Sequence, residues 1–296
     1  MGTGMGGLVA AQRLSKHFDE VVSLERDARP QLPPAGGNAA AVDGPSAVHN
    51  GRPGVPQFNF IHALLGRGGA ILDDSFGPDY RSQLLAAGGR LVDWFTEVSI
   101  VVPPGTTFLR NPPGSAPPPG LPPMGMYSAS RALLEGTARK LLERNPRVTV
   151  RYGARADGLA FSPDEGTGGR PAAVEGVTLA GGGAVVGADL VVDCSGRNTR
   201  VADWLAAAGW EAPPVSVVDA GVGYVSRHFR LSPESQHRME GTHALVATSM
   251  YPHTQLAVIQ RIEGGDFLVG VGGYGEDESG LPPHDDSALL PWVQHI

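Results

Sequence analysis

The chain has 296 residues, 41% hydrophobic and 18% charged, with a formal net charge of −7. That length suffices to bury a sizeable core in one large domain or two smaller ones, and the mildly acidic balance lacks the electrostatic footprint of a nucleic-acid-binding protein. A single cysteine, Cys194, excludes an internal disulfide and a cysteine-rich metal site. No run reaches the roughly 18 apolar residues of a membrane span, and the N-terminus lacks a signal-peptide pattern. These features together read as a soluble protein of a reducing cytoplasm.

The first residues, "MGTGMGGLVAAQRL", hold a glycine-rich turn leading into a helix. Gly2, Gly4 and Gly7 fit the G-x-G-x-x-G pattern. In that pattern the first glycine allows a tight turn, the second lets backbone approach a pyrophosphate, and the third lets helix and strand pack closely. Leu8, Ala11, Leu14 and Phe18 recur at near-helical spacing, and "VVSL" (21–24) reads as a buried parallel strand ending in Glu25. Glu25 lies 18 residues beyond Gly7, close to the roughly 20 expected of an acid that accepts the hydroxyl protons of an adenosine ribose. A dinucleotide site follows from this context, although spacing does not separate NAD from FAD.

Residues 28–59 read as loop. "FIHALLGRGGAIL" (60–72) reads as helical in part, and "RSQLLAAGGRLVDWF" (81–95) as a helix with a glycine break. From Val101 to Gly125 nine prolines exclude a helix or a central strand. "SRALLEGTARKLLERN" (130–145) predicts a helix with Ser130 as N-cap and an apolar face of Leu133, Leu134, Ala138, Leu141 and Leu142. "RVTVRYG" follows as a strand. The stretch from Val174 to Gly196 predicts a strand, a glycine turn, a short strand and a final buried strand at "DLVVDC". "VADWLAAAGW" predicts a helix. Beyond Pro213-Pro214, "VSVVDAGVGYVSRHFRL", "HALVATSMY", "QLAVIQRIE" and "FLVGVGGY" come at the short spacing of an antiparallel sheet.

"GTGMGGLVAAQRL…VVSLERD" resembles the start of flavoprotein monooxygenases of the p-hydroxybenzoate hydroxylase type. "GVPQFNFIHALLGRGG", "SRALLEGTARKLL" and "GADLVVDCSGRNTRVADWL" resemble later stations of its 2-polyprenyl-6-methoxyphenol hydroxylase-like subgroup, in the same order and over nearly the whole chain. The resemblance implies an α/β fold: a Rossmann-like, three-layer FAD-binding domain with a mostly parallel sheet (1–75 and 124–212), and a mainly antiparallel β substrate domain (76–123 and 213–296). It implies FAD as cofactor, NAD(P)H as transient reductant, and O2 and a small aromatic or polyprenyl-type molecule as partners. An FAD-dependent reductase of a prenyl chain, or an inactive fragment, is the alternative. The W-x-W-x-I-P pattern of a flavin halogenase is absent.

By position, the resemblance implies that Glu25 binds the adenosine ribose with Arg26 beside it. Arg131 would reach the flavin phosphates or ribityl chain, as suits a permanently charged, multi-donor side chain. The backbone of Ala156 would touch adenine. Ser195-Gly196 stands where relatives carry an Asp-Gly pair; Gly196 keeps the close approach, whereas a serine supplies no carboxylate. Asp193 reads as scaffolding and Cys194 as an inert buried thiol. His62 reads as a hydrogen-bonded core residue, and His243 as incidental. The strand expected before Gly2 and the Gly-Asp loop expected near the end have no counterpart. That absence implies a chain truncated at both ends, one that alone binds FAD weakly or not at all. No catalytic side chain is assigned.

Overall fold

The computed structural model describes residues 1–30, 52–102, 106–108, 112, 115, 125–163, 168–169, 171–230, 232, 234, 237, 239–248, 255–275 and 280–293. Most of the proline-rich stretch, residues 31–51 of the first long loop, and part of the acidic run near 276–279 lie outside the described residues. The chain divides into two compact units. Unit 1 takes the described residues of Met1–Gln31, Arg52–Val55 and Ala138–Val217; unit 2 takes those of Pro56–Thr137 and Val218–Ile296. Residues 56–75 and 125–137 thus cluster with the antiparallel half of the chain.

In unit 1, helix α1 (Met5–Leu14) follows the glycine turn at once, and strand β1 (Val21–Glu25) comes next. Leu8 is fully buried and Ala11 nearly so, which is the inward face read from the sequence. β1 pairs in parallel with β7 (Val148–Tyr152), Val21 opposite Val148 and Glu25 opposite Tyr152. An antiparallel sheet of β8 (Ala156–Phe161), β9 (Val174–Leu179) and β10 (Val185–Gly187) follows in the order β10-β9-β8. Helix α6 (Val201–Ala207) packs against β8.

The strand expected at "DLVVDC" does not form. Residues 189–194 carry no strand assignment, and Leu190 is 51% exposed. The neighbouring backbone there is that of Met1: its amino group donates to the Val192 carbonyl at 2.7 Å and its carbonyl accepts from the Cys194 amide at 2.8 Å. Two bonds from one residue do not make a ladder, so an apolar, β-branched run stays irregular. The same holds at 215–221. The sequence pattern extends the strand through "VSVVDAG", yet the strand there, β11 (Val222–Phe229), begins at Val222, and Val215, Val217 and Val218 are more than four-fifths exposed. β-propensity describes fit to a partner surface rather than an intrinsic preference.

In unit 2, six strands run in the order β11-β14-β13-β12-β4-β5. They are β11 (Val222–Phe229), β14 (Phe267–Tyr274), β13 (Gln255–Arg261), β12 (Ala244–Thr248), β4 (Val98–Val102) and β5 (Thr106–Phe108). All pairings are antiparallel except that of β12 with β4. A smaller antiparallel sheet orders β2 (Ala63–Leu64), β6 (Gly125–Ser128) and β3 (Arg90–Asp93). Helices α2 (Gly66–Phe76) and α3 (Pro78–Ala86) pack on one another, and α2 also packs on β6. Of the helix with a glycine break expected over 81–95, the part before the glycines forms within α3, and most of the part after them is a strand instead. The chain leaves α3 through Gly88, whose φ is +98°, and continues as β3 and the one-turn helix α4 (Trp94–Glu97). Val92, Val98, Met126 and Ala244 form one buried cluster and Val225, Val271 and Leu289 another, the last from helix α7 (Asp286–Val293). Among the described residues no helix is long and apolar enough to cross a membrane.

Helix α5 (Arg131–Leu142) belongs to unit 2 up to Thr137 and to unit 1 from Ala138. Ser130 caps it as expected, its Oγ accepting from the Leu133 amide at 3.1 Å.

Candidate functional site

The geometry of the glycine turn gives each of its glycines a different physical reason. Gly2 has φ +84°, and a Cβ there would stand 2.5 Å from the Cys194 carbonyl oxygen. A Cβ on Gly7 would stand 1.9 Å from the carbonyl oxygen of Gly2, so the first turn of α1 packs directly against the loop that begins it. Gly4 differs: it is the N-cap residue of α1, and a Cβ there would meet nothing within 4 Å. Gly2 and Gly7 are thus required by the protein's own packing, and Gly4 opens onto space at a helix N-terminus. That terminus carries unsatisfied N–H groups and the positive end of the helix dipole, and no side chain caps it. The backbone of the turn is anchored to the next strand, the Gly2 amide donating to the Leu24 carbonyl at 2.8 Å.

Glu25 closes that strand. It is 4% exposed, and its carboxylate is held from several sides. Oε2 accepts from the Thr3 amide at 3.0 Å, the Thr3 hydroxyl at 2.5 Å and Nη2 of Arg52 at 2.5 Å, while Oε1 accepts from the Asp27 amide at 3.1 Å. Burial alone would raise the pKa of this carboxyl. The Thr3 hydroxyl, the Asp27 amide and the Arg52 charge outweigh burial and hold it below its ordinary value, so Glu25 is an anion at neutral pH. Arg52 also donates through Nη1 to the Thr3 carbonyl at 3.3 Å. Arg139, on the unit 1 part of α5, donates through Nη2 to the same carbonyl at 2.7 Å and through Nη1 to the Thr3 hydroxyl at 2.9 Å. Sequence reading named neither arginine. Arg139 sits at i+8 from Arg131 with Glu135 between them, a charged stripe that reads as a solvated face, yet Arg139 is only 2% exposed.

The remaining candidates fall as follows. Arg26 is exposed, its Nε 3.7 Å from the carboxylate of Asp27, which in turn accepts from the Gly54 amide at 3.2 Å. Ala156 opens β8 opposite Leu179; the amide that bonds back to Glu25 is that of Ala154, at 2.8 Å from the Glu25 carbonyl. Ser195 and Gly196 are exposed. Gly196 has φ +93°, and a Cβ there would meet nothing within 4 Å, so its glycine serves a backbone turn with open space outside it. Asp193 acts as the scaffold of this turn. Its carboxylate accepts from the Ser195 amide at 3.0 Å and from the Thr199 hydroxyl, and Thr199 Oγ1 accepts from the Val201 amide at the start of α6. Cys194 is half-buried, and burial pushes its thiol up, away from the reactive thiolate form.

Arg131 lies in unit 2, on the first turn of α5, and its guanidinium donates twice to Oε2 of Glu135, at 3.0 and 3.1 Å. Glu263 occupies the start of that helix, its carboxylate accepting from the Ser130 amide at 2.9 Å and from the Ser130 hydroxyl. His62 is half-buried, with Nδ1 2.7 Å from the Phe60 carbonyl and its own carbonyl accepting from Gln260 Nε2 at 3.0 Å. Burial holds its pKa below the ordinary value, so it is neutral at pH 7. His243 is 4% exposed with its pKa pressed by burial to about 4, and its Nε2 meets no hydrogen-bond partner among the described residues. Among those residues there is no group of three or more His, Cys, Asp or Glu side chains able to hold a metal ion.

No protein-family profile matches the chain. Protein Rv3254 of Mycobacterium tuberculosis is 28% identical over 245 residues, which are 78% of this chain and 44% of that protein. Among solved structures, PqsL, a probable FAD-dependent monooxygenase of Pseudomonas aeruginosa, superposes with a TM-score of 0.60 at 15% identity, covering 92% of this chain and 59% of PqsL. The tetrameric form of 2-methyl-3-hydroxypyridine-5-carboxylic acid oxygenase gives 0.58 at 16% identity, with 99% of this chain and 62% of that one. CtdE, solved with FAD and a substrate, gives 0.59 at 11% identity, with 94% and 57%. The chain thus spans about three-fifths of the solved structures it matches and less than half of the curated relative. At these identities the likeness establishes the fold: an α/β, Rossmann-like architecture shared with FAD-binding monooxygenases.

Proposed function

We propose that the protein acts as a flavin-dependent oxidoreductase, a monooxygenase that hydroxylates an aromatic or polyprenyl-type small molecule with NAD(P)H and O2. The observation that carries this reading is the glycine turn: two glycines fixed by internal packing, one opening onto space at a helix N-terminus, and an ionised Glu25 at the end of the adjoining strand. This is a donor set that fits the adenosine diphosphate half of FAD. The amides at the start of α1 suit a pyrophosphate, and a carboxylate at the end of the next strand suits ribose hydroxyls. Gly2, Gly4, Gly7 and Glu25 would hold that half. Arg26, Ala156, Ser195 and Gly196 would line its approaches; Arg131, whose guanidinium is engaged by Glu135, is left out of this set. The fold shared with FAD-dependent monooxygenases supports reading this turn as an FAD site rather than an NAD site.

When bound, FAD supplies the redox chemistry, carrying electrons from NAD(P)H and activating O2. The chain's own contribution would be binding and orientation: the turn would admit backbone close to phosphate, and the anionic Glu25 would accept hydrogen bonds from ribose hydroxyls. An aromatic substrate is supported by the neighbours, since PqsL was solved with 2-aminobenzoylacetate and another neighbour is an oxygenase of a pyridine carboxylic acid. On this reading the six-stranded sheet of unit 2 would be the substrate-facing element.

The test is a product assay. The protein is supplied with FAD, NADH or NADPH and a panel of aromatic acids and prenylated phenols under isotopically labelled O2. Incorporation of one labelled oxygen atom is the expected result; oxygen-independent saturation of a prenyl double bond would instead assign a reductase.

A further inference from the structure

Thr3 occupies the position between the first two glycines of the turn, where the pattern accepts any residue. In this chain it is 1% exposed and lies at the centre of a buried charged cluster. Its hydroxyl donates to Glu25 Oε2 at 2.5 Å and accepts from Arg139 Nη1 at 2.9 Å. Its amide donates to the same Glu25 oxygen at 3.0 Å, and its carbonyl accepts from both Arg139, at 2.7 Å, and Arg52, at 3.3 Å. Every polar atom of one residue is thereby tied to a charged side chain. The side chains come from three separate stretches: β1, the 52–55 segment and α5. Arg139 is further steadied by the Tyr152 hydroxyl at 3.2 Å and by the Tyr152 ring, 5.8 Å from its guanidinium carbon to the centroid.

We propose that Arg52 and Arg139 are positioning residues of the nucleotide site, acting through Thr3 to fix the glycine turn and to commit Oε2 of Glu25 inward, leaving Oε1 for the ribose. The inference rests on the reading of the turn as a nucleotide site, and it assigns work to residues that the G-x-G-x-x-G pattern does not specify. Each carboxylate oxygen offers about two acceptor positions. Oε2 takes three donors, whereas Oε1 takes the Asp27 amide. A carboxylate held this way does not rotate on ligand arrival, so the ordering is done before binding. A hydroxyl is needed because it must donate to Glu25 and accept from Arg139 at once. Valine has the same shape and can do neither.

The test compares Thr3→Val with Thr3→Ser by three readouts: FAD affinity from flavin fluorescence, amide hydrogen exchange across residues 2–7, and the carboxyl titration of Glu25 followed by carbon NMR. Thr3→Val is expected to weaken FAD about tenfold or more, to speed exchange in the turn, and to raise the Glu25 midpoint. Thr3→Ser is expected to stay within about threefold of wild type, because it restores the charge-assisted hydroxyl bonds. If Thr3→Val does not fold, Arg52→Gln takes its place, keeping a donor while removing the charge; the same rise in the Glu25 midpoint is expected. Thr3→Val or Arg52→Gln behaving as wild type in exchange and titration would overturn the proposal, as would equal loss in Thr3→Val and Thr3→Ser. If wild type gives no flavin signal, as the sequence reading expects of this chain alone, exchange and titration measured without FAD decide the positioning role.

Discussion

The two ends of helix α5 carry arginines eight residues apart on one stripe, and they are used in opposite ways. Arg131 is neutralised one turn away by Glu135, and the helix start itself is filled by Glu263 bonding to Ser130. Arg139 is directed at backbone: it meets the carbonyl and hydroxyl of Thr3 in the glycine turn. The difference is one of partner. An ion pair between side chains can be replaced as a pair, and buried pairs exchanged for apolar groups of like volume are often neutral in stability. A backbone carbonyl cannot be removed, so a cation serving it has no equivalent substitute. Position on an element therefore does not tell what an arginine does; the atom at its tip does.

The largest expected effect breaks this contrast directly. Arg139→Met leaves the Thr3 carbonyl and hydroxyl without their strongest donor and should cost about 4 kcal/mol in a denaturation experiment. The double replacement Arg131→Met with Glu135→Leu should stay within about 1 kcal/mol of wild type. Equal losses at the two ends would erase the distinction. The turn that Arg139 serves can be stressed from the backbone side as well. Gly7→Ala places a Cβ 1.9 Å from the Gly2 carbonyl oxygen and should cost about 3 kcal/mol or prevent folding. Gly4→Ala, with nothing within 4 Å, should cost about 1 kcal/mol or less while impeding FAD.

A pH series sharpens the same comparison. The folded pKa of Glu25 lies below its unfolded value, so its contribution to stability is present above the ordinary carboxylate range and is lost as pH falls through the folded pKa. Glu25→Gln should therefore be less stable than wild type by about 2 kcal/mol at pH 7, and the gap should narrow in acid. A gap independent of pH would mean that shape rather than charge is what Glu25 contributes. The smallest effect belongs to the other end of α5: Ser130→Ala removes an N-cap and should cost about 1 kcal/mol in thermal unfolding.

Much of the first half of the chain was legible because it depends on local rules. Glycine positions at 2 and 7, the helix at 5–14, the strand closing on Glu25 and the helix capped by Ser130 all follow from spacing and backbone chemistry within a short window. The antiparallel β11, β12, β13 and β14 were legible from alternating runs separated by turns. What failed depended on partners. "DLVVDC" and "VSVV" have the composition of strands but lack a neighbouring ladder, and "GGRLVDWF" became β3 because β6 pairs with it. Arg52 and Arg139 were missed for a related reason: a charged side chain reads as solvated unless the groups it will meet, here 49 and 136 residues away, are known.

The central claim, that the Gly2–Gly7 turn with Glu25 is a site for the adenosine diphosphate half of FAD, is tested most directly by hydrogen exchange with and without millimolar FAD. Concentrations in that range register weak as well as tight binding. Wild type is expected to gain protection across residues 2–7 and at 25–27, and Gly4→Val, which fills the open space at the start of α1, to gain none. The same protection in both proteins, or protection confined to other parts of the chain, would contradict the account.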